Sequence, residues 1–241
     1  PVGAGGGTVP RAGVHRSLDD PLVVCAVLLF SQRGTLFNSD HTVPAFNSPA
    51  GVKALQFETD LIRTDKVEDV GFSSTTATVN PLINGRAAMG LAHNNLWTAA
   101  KAADPSVLAN LEPFLIPGSD PSLFLGGSLA TMSSKSKNPA AAAALLKFLT
   151  SSGPALAANK QRGNIPALNE LLTSDYVTTN KLVQFAMLNF GVSKREGGPA
   201  AWTQIRGNFT PALQSALLGE KTPQAALDDL AATSLKVINS N

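Results

Sequence analysis

The chain has 241 residues, 44% of them hydrophobic and 15% charged, a composition that is globular rather than disordered and long enough to bury a full core. Its net charge of +2 is scattered, with no basic run longer than Lys194–Arg195, and aromatics make up only 6%, which argues against a nucleic-acid groove. One cysteine excludes an internal disulfide or a cysteine-built zinc site, and no segment reaches the roughly 18 apolar residues of a membrane span.

Residues 1–12 are glycine-rich without periodicity and predict a flexible end. No strand precedes those glycines, so they do not form a dinucleotide fingerprint. Residues 13–18 predict a short strand. Asp19 or Asp20, followed by Pro21, then starts an apolar helix through Phe30. Acidic residues stand where a signal peptide would carry positive charge, so this run reads as a buried helix, with Cys25 an inert core thiol.

A turn at Arg33–Gly34 leads to a short strand at Leu36. Ser48 and Pro49 open a helix that puts Val52, Leu55, Thr59 and Ile62 on one face. Residues 73–85 predict another helix, ended by Gly85. Residues 87–92 predict a core strand, 94–103 a helix and 112–116 a strand.

The stretch 123–150 is an apolar run broken by Gly126–Gly127, a strand-like segment at 128–132 and an alanine-rich helix. Asn138 is placed to cap that helix and Pro139 to begin it, and Leu145, Phe148 and Leu149 form an apolar face. Beyond residue 153 the chain is helical with breaks at Pro154, Pro166 and Gly191. A Gly-Gly-Pro turn at 197–199 precedes a helix interrupted near Gly207 or Pro211. Thr222–Pro223 caps the last helix, with Leu227, Leu230, Ser234 and Ile238 on one side. Strands alternating with helices predict an α/β fold.

Few residues suggest catalysis. Ser134 and Lys137 fit a Ser-x-x-Lys pair, which would imply a serine acyl-transfer enzyme, but they precede the helix cap and no S-D-N or K-T-G accompanies them. His15, His41 and His93 lack metal-ligand spacing. The run His93-Asn94-Asn95-Leu96-Trp97 is the better candidate. It lies where a strand gives way to a helix, amides read sugar hydroxyls, and an indole offers a stacking face. The alternative is that Asn94 or Asn95 merely caps the helix and Trp97 is core. Read from the residues alone, Trp202 is a buried anchor for the last helices. Arg206, one turn beyond it, is placed to meet an anionic group or to be solvated.

Five segments in order, S-Q-R-G-T-L-F-N at 31–38, F-N-S-P-A-G-V-K-A-L-Q-F at 46–57, N-G-R-A-A-M-G-L at 84–91, the stretch at 123–150 and L-L-G-E-K-T-P-Q-A-A-L at 217–227, resemble the extracellular solute-binding proteins of ABC importers, the sugar-binding family that includes maltose-binding protein. Arg33 replaces a glycine usual in the first segment. The resemblance implies a type II periplasmic-binding fold that captures a carbohydrate or similar polar solute between two lobes and delivers it to permease subunits, outside the cytoplasm, with no cofactor and no catalysis. It also implies one nearly whole C-terminal lobe at residues 13–125 and 190–241 and a helical remnant of the N-terminal lobe at 128–188. Most of the first lobe would then be lacking. The ligand contacts it suggests are Asp20, Asn94, Asn95, Trp97 and Trp202, with Gly126 and Gly127 at the inter-lobe crossing. A non-catalytic interaction module is the remaining alternative. The apolar faces carrying Leu145, Phe148, Leu149, Leu156, Leu168, Leu171 and Leu172 are expected to be left uncovered, in a loose, protease-sensitive middle segment.

Overall fold

The structure, a computed structural model, describes residues 12–15, 21–68 and 80–240. These divide into two compact units. The first takes the chain up to Leu91, Leu115–Leu125 and the chain from Val192 on; the second takes Ala92–Phe114 and Gly126–Gly191. The chain leaves the first unit at Leu125, beside the glycine pair. The segment 92–114, expected with the C-terminal lobe, falls instead in the second unit.

The first unit is built round helix α1 (Pro21–Ser31), which is buried on nearly all sides. A helix apolar all round finds no solvent-facing side, so it becomes the centre of a core. Helix α2 (Pro49–Arg63) packs on it with Leu55 and Thr59 buried and Val52 and Ile62 partly so, the face expected from spacing. The C-terminal helices α9 (Phe209–Leu217) and α10 (Pro223–Asn239) close the core with Phe209, Leu213, Leu217, Leu227 and Leu230. The Thr222 hydroxyl accepts from the Ala225 N–H at 3.2 Å, so the expected cap of α10 is made. Helix α8 (Trp202–Arg206) precedes α9, and the break between them falls at Gly207–Asn208.

Strands are sparse. β1 (Ala12–His15) and β2 (Ala87–Gly90) pair in parallel, with Val14 opposite Met89. β3 (Leu123–Phe124) and β4 (Ser193–Lys194) form a second parallel pair, extended by a 2.7 Å bond from the Leu125 N–H to the Lys194 carbonyl. Met89 is about half exposed, so β2 is not the core strand its composition suggested. Segments 112–116 and 128–132 carry no strand pairing, and Leu36 is followed only by an isolated bridge from Phe37 to Pro44. The expected helix at 73–85 lies largely outside the described residues, and residues 81–85 are turns, with Gly85 left-handed at φ 72°.

The second unit is wholly helical among the described residues. It holds α3 (Leu96–Ala103), α4 (Pro139–Leu149), α5 (Ser152–Arg162), α6 (Asp175–Thr178) and α7 (Lys181–Leu188). Helix α3 packs on α5 and α7, with Leu96, Ala100, Leu171, Val177 and Val183 buried. Helix α4 begins at Pro139 as expected, but the Asn138 side chain makes no capping bond. Nothing in α4 is buried: Leu145, Phe148 and Leu149 are 56%, 61% and 47% exposed. Leu156, Leu168 and Leu172 are half-buried, while Leu171 is buried.

Candidate functional site

The start of α3 organises the second unit's surface. The Asn94 amide donates to the backbone carbonyl of Gly163, which ends α5 in a left-handed conformation at φ 71°. A Cβ at Gly163 would lie 2.5 Å from the Asn95 Cα, so only glycine allows the two turns to approach this closely. The Tyr176 hydroxyl donates to the next carbonyl, that of Asn164, at 2.8 Å. Burial raises the Tyr176 phenol above its ordinary range, so it stays a donor at neutral pH. The segment 161–164 is therefore held from both sides.

A depression of about 640 Å³ opens beside it, lined by Asn95, Thr98, Ser128, Gln161, Arg162 and Asn164. Ala99 and Ala102 supply a small apolar floor. All eight residues belong to the second unit. Asn95 is exposed, and its side chain makes no bond to the α3 backbone although it stands at the helix start. The amides and hydroxyls here donate and accept along one surface, the chemistry that a polyhydroxylated solute requires.

The other expected residues are dispersed. Asp20 lies outside the described residues. Asn94 is engaged by Gly163, so its amide joins the framework rather than standing open. Trp97 is half-buried on α3. Gly126 and Gly127 are exposed with ordinary backbone angles, and nothing lies within 4 Å of a Cβ placed on Gly127.

Trp202 belongs to the first unit. Its half-buried ring meets Phe37 edge-on at 5.5 Å and Phe209 at 5.8 Å. A Cβ on Gly198 would come 2.8 Å from the indole, so the Gly-Gly-Pro turn lies directly against that ring. Trp202 is an anchor for this turn. The Arg206 Nε donates to Glu196 at 3.2 Å, an ion pair rather than a solvated cation.

Gln161, Arg162, Asn164, Thr98 and Ser128 were not singled out from the sequence. The one local signal was a polar run, Asn159 to Asn164, with glycine where a helix ends. Ser134 and Lys137 are exposed in the turn before α4. Burial holds the Cys25 thiol well above its ordinary pKa, with the neighbouring Glu58 carboxylate adding to the effect, so it is an inert core group. Among the described residues no three His, Cys, Asp or Glu side chains gather as a metal site, and no single helix is long and apolar enough to cross a membrane.

Comparison with known proteins fixes the class. The fold is that of the type II periplasmic binding proteins. An ABC transporter solute-binding protein from Thermotoga lettingae, bound with α-D-tagatose, superposes with a TM-score of 0.82 at 23% identity, over 95% of this chain and 60% of that one. The maltose/maltodextrin-binding domain MalE from Bdellovibrio bacteriovorus, bound to maltotriose, does so at 0.77 and 22%, over 98% and 62%. Maltose-bound MalE3 from T. maritima gives 0.79 and 21%, over 94% and 60%. The chain thus spans about three fifths of the length of these structures. A search among curated proteins gives no match. Residues 17–185 match the bacterial extracellular solute-binding proteins, and the chain belongs to that family. The family binds solutes outside the cytoplasm and is not catalytic, so the Ser-x-x-Lys pair carries no acyl transfer.

Proposed function

We propose that the chain captures a carbohydrate or similar polar solute and delivers it to the permease subunits of an ABC importer. The observation that carries this reading is the surface round Asn95, where amides and hydroxyls from α3, α5 and Ser128 meet on a preformed depression. The ligands of the structural relatives, tagatose and maltotriose, are of the chemistry such a surface reads. Asn95 is a direct contact in this reading, with Trp97 on the same helix offering an aromatic face, while Asn94 positions the rim.

Calorimetric titration of the chain with tagatose, maltose and maltotriose tests the reading. Asn95→Ala is expected to weaken binding by roughly twofold to tenfold, the loss of one neutral hydrogen bond, with the unfolding midpoint unchanged because Asn95 is exposed. Saturable binding that is indifferent to Asn95→Ala would remove the depression from the site. No binding of any saccharide would end the carbohydrate reading.

A further inference from the structure

The depression has a charge pattern that a neutral sugar does not use. Arg162 stands in the last turn of α5 on its rim, exposed, with no hydrogen bond or ion pair from its side chain among the described residues. Arg63 donates to the Leu218 carbonyl at 2.9 Å and Arg206 pairs with Glu196, whereas Arg33 and Arg195 are exposed without a side-chain partner among the described residues, as Arg162 is, but line no depression with it. Among the described residues no carboxylate lines the depression, and Arg162 is the cation that lines it. Either side of Arg162 along the rim stand Gln161 and Asn164, uncharged groups suited to hydroxyls.

The rim is also built in advance. Asn94 holds the Gly163 carbonyl, Tyr176 holds the Asn164 carbonyl, and Gly163 is locked left-handed against Asn95. Little backbone must be ordered when a ligand arrives, so a weak set of contacts suffices for selectivity. A guanidinium is a planar fork of donors that matches a carboxylate with two parallel bonds.

Resting on the carbohydrate reading above, we propose that the solute is an acidic saccharide, a hydroxyl-bearing ring with one carboxylate. Arg162 reads the carboxylate, and Asn95, Gln161 and Asn164 read the hydroxyls. Arg162 thereby sets specificity for charge within a site otherwise built for neutral groups.

The test titrates the 241-residue chain with matched pairs, galacturonate against galactose and glucuronate against glucose, with galactose 6-phosphate as a third arm. At low salt at least one uronate is expected to bind about tenfold tighter than its neutral partner, the size of a charge-assisted contact, and the advantage shrinks as salt is added. Arg162→Gln is expected to abolish the advantage, read as the ratio of the two affinities within each pair, while Arg162→Lys restores only part of it. Circular dichroism melting of each variant checks that the fold is unchanged.

Equal affinity within each pair, or a preference that survives Arg162→Gln, overturns the proposal while leaving the carbohydrate reading intact. Binding of the phosphate ester alone overturns the carboxylate assignment. If neutral and acidic sugars both fail, and the saccharides of the relatives fail too, the carbohydrate reading falls together with this one.

Discussion

Asn94 and Gly163 lie 69 residues apart, and the side-chain amide of the first donates to the main-chain carbonyl of the second. The bond ties the entry of α3 to the exit of α5 and so sets the rim of the candidate site. Asn94→Ala is expected to destabilise the second unit by about 1 kcal/mol, and Gly163→Ala by about 1–3 kcal/mol through its left-handed backbone and the 2.5 Å approach to Asn95. The two should be non-additive, since both act on one junction. Urea denaturation of the single and double variants measures the coupling; strict additivity would show that the two residues act independently.

A second glycine makes a similar demand in the first unit. Gly219 has φ 77°, and a Cβ there would fall 2.3 Å from the Arg63 guanidinium carbon while Arg63 bonds the Leu218 carbonyl. Gly219→Ala is expected to cost about 1–2 kcal/mol. In an Arg63→Ala background the steric part disappears, so the same substitution should cost less there. Equal costs in both backgrounds would mean that backbone conformation alone is responsible.

Trp202 joins an aromatic cluster with Phe37, Phe46 and Phe209. Trp202→Ala is expected to lower stability by about 2–4 kcal/mol and Trp202→Phe by much less. Thermal unfolding of both variants decides it. If Trp202→Ala left the midpoint unmoved, the ring would not be an anchor.

The Cys25 thiol is raised by burial and by Glu58. The neutral thiol is thus favoured in the folded state, and above about pH 8.5 the unfolded chain loses a proton that the folded chain keeps. Stability from this group is present below that pH and falls by up to about 1.4 kcal/mol per pH unit above it. Stability curves from pH 7 to 10 should therefore be less steep in Cys25→Ala than in the parent. Parallel curves would sink the argument.

Leu145, Phe148 and Leu149 leave an apolar stripe along α4 open to water. Such a stripe binds hydrophobic dyes and drives association. Replacing all three by Ser is expected to reduce dye fluorescence and sedimentation of aggregates without lowering the unfolding midpoint. A sharp fall in midpoint would show that the stripe is covered.

Helix positions were legible because their signals are local. Proline at the first turn marked α2, α4 and α10, and the unbroken apolar run at Pro21 announced a helix with no exposed face. Strands were legible only in part, at 13–18 and 87–92 where β1 and β2 lie, because a strand exists only by its partner. Segments 112–116 and 128–132 have the composition but lack the neighbour, while β3 and β4 are two-residue pairs joined across some 70 positions. Asn95 was legible as a polar group at a strand-to-helix junction. Its companions Gln161, Arg162 and Asn164 were not, since they join it only through the left-handed turn at Gly163. For Arg206 the choice between an anionic partner and solvent stayed open because Glu196 lies ten residues back, outside any helical spacing.

The core round α1 has a consequence for the order in which the chain matures. The side chains that close it, Phe209, Leu213, Leu217, Leu227 and Leu230, come from the final stretch, whereas the last described residues of the second unit precede Val192. Synthesis therefore completes the later-numbered helical unit first, while α1, packed so far only on α2 and the segment between them, waits for the C-terminal helices to close its core. During that interval a holdase, or rapid delivery of the C-terminal helices, decides between folding and precipitation. Loss of the last two helices would leave α1 packed on α2 with the other side of its core open to water.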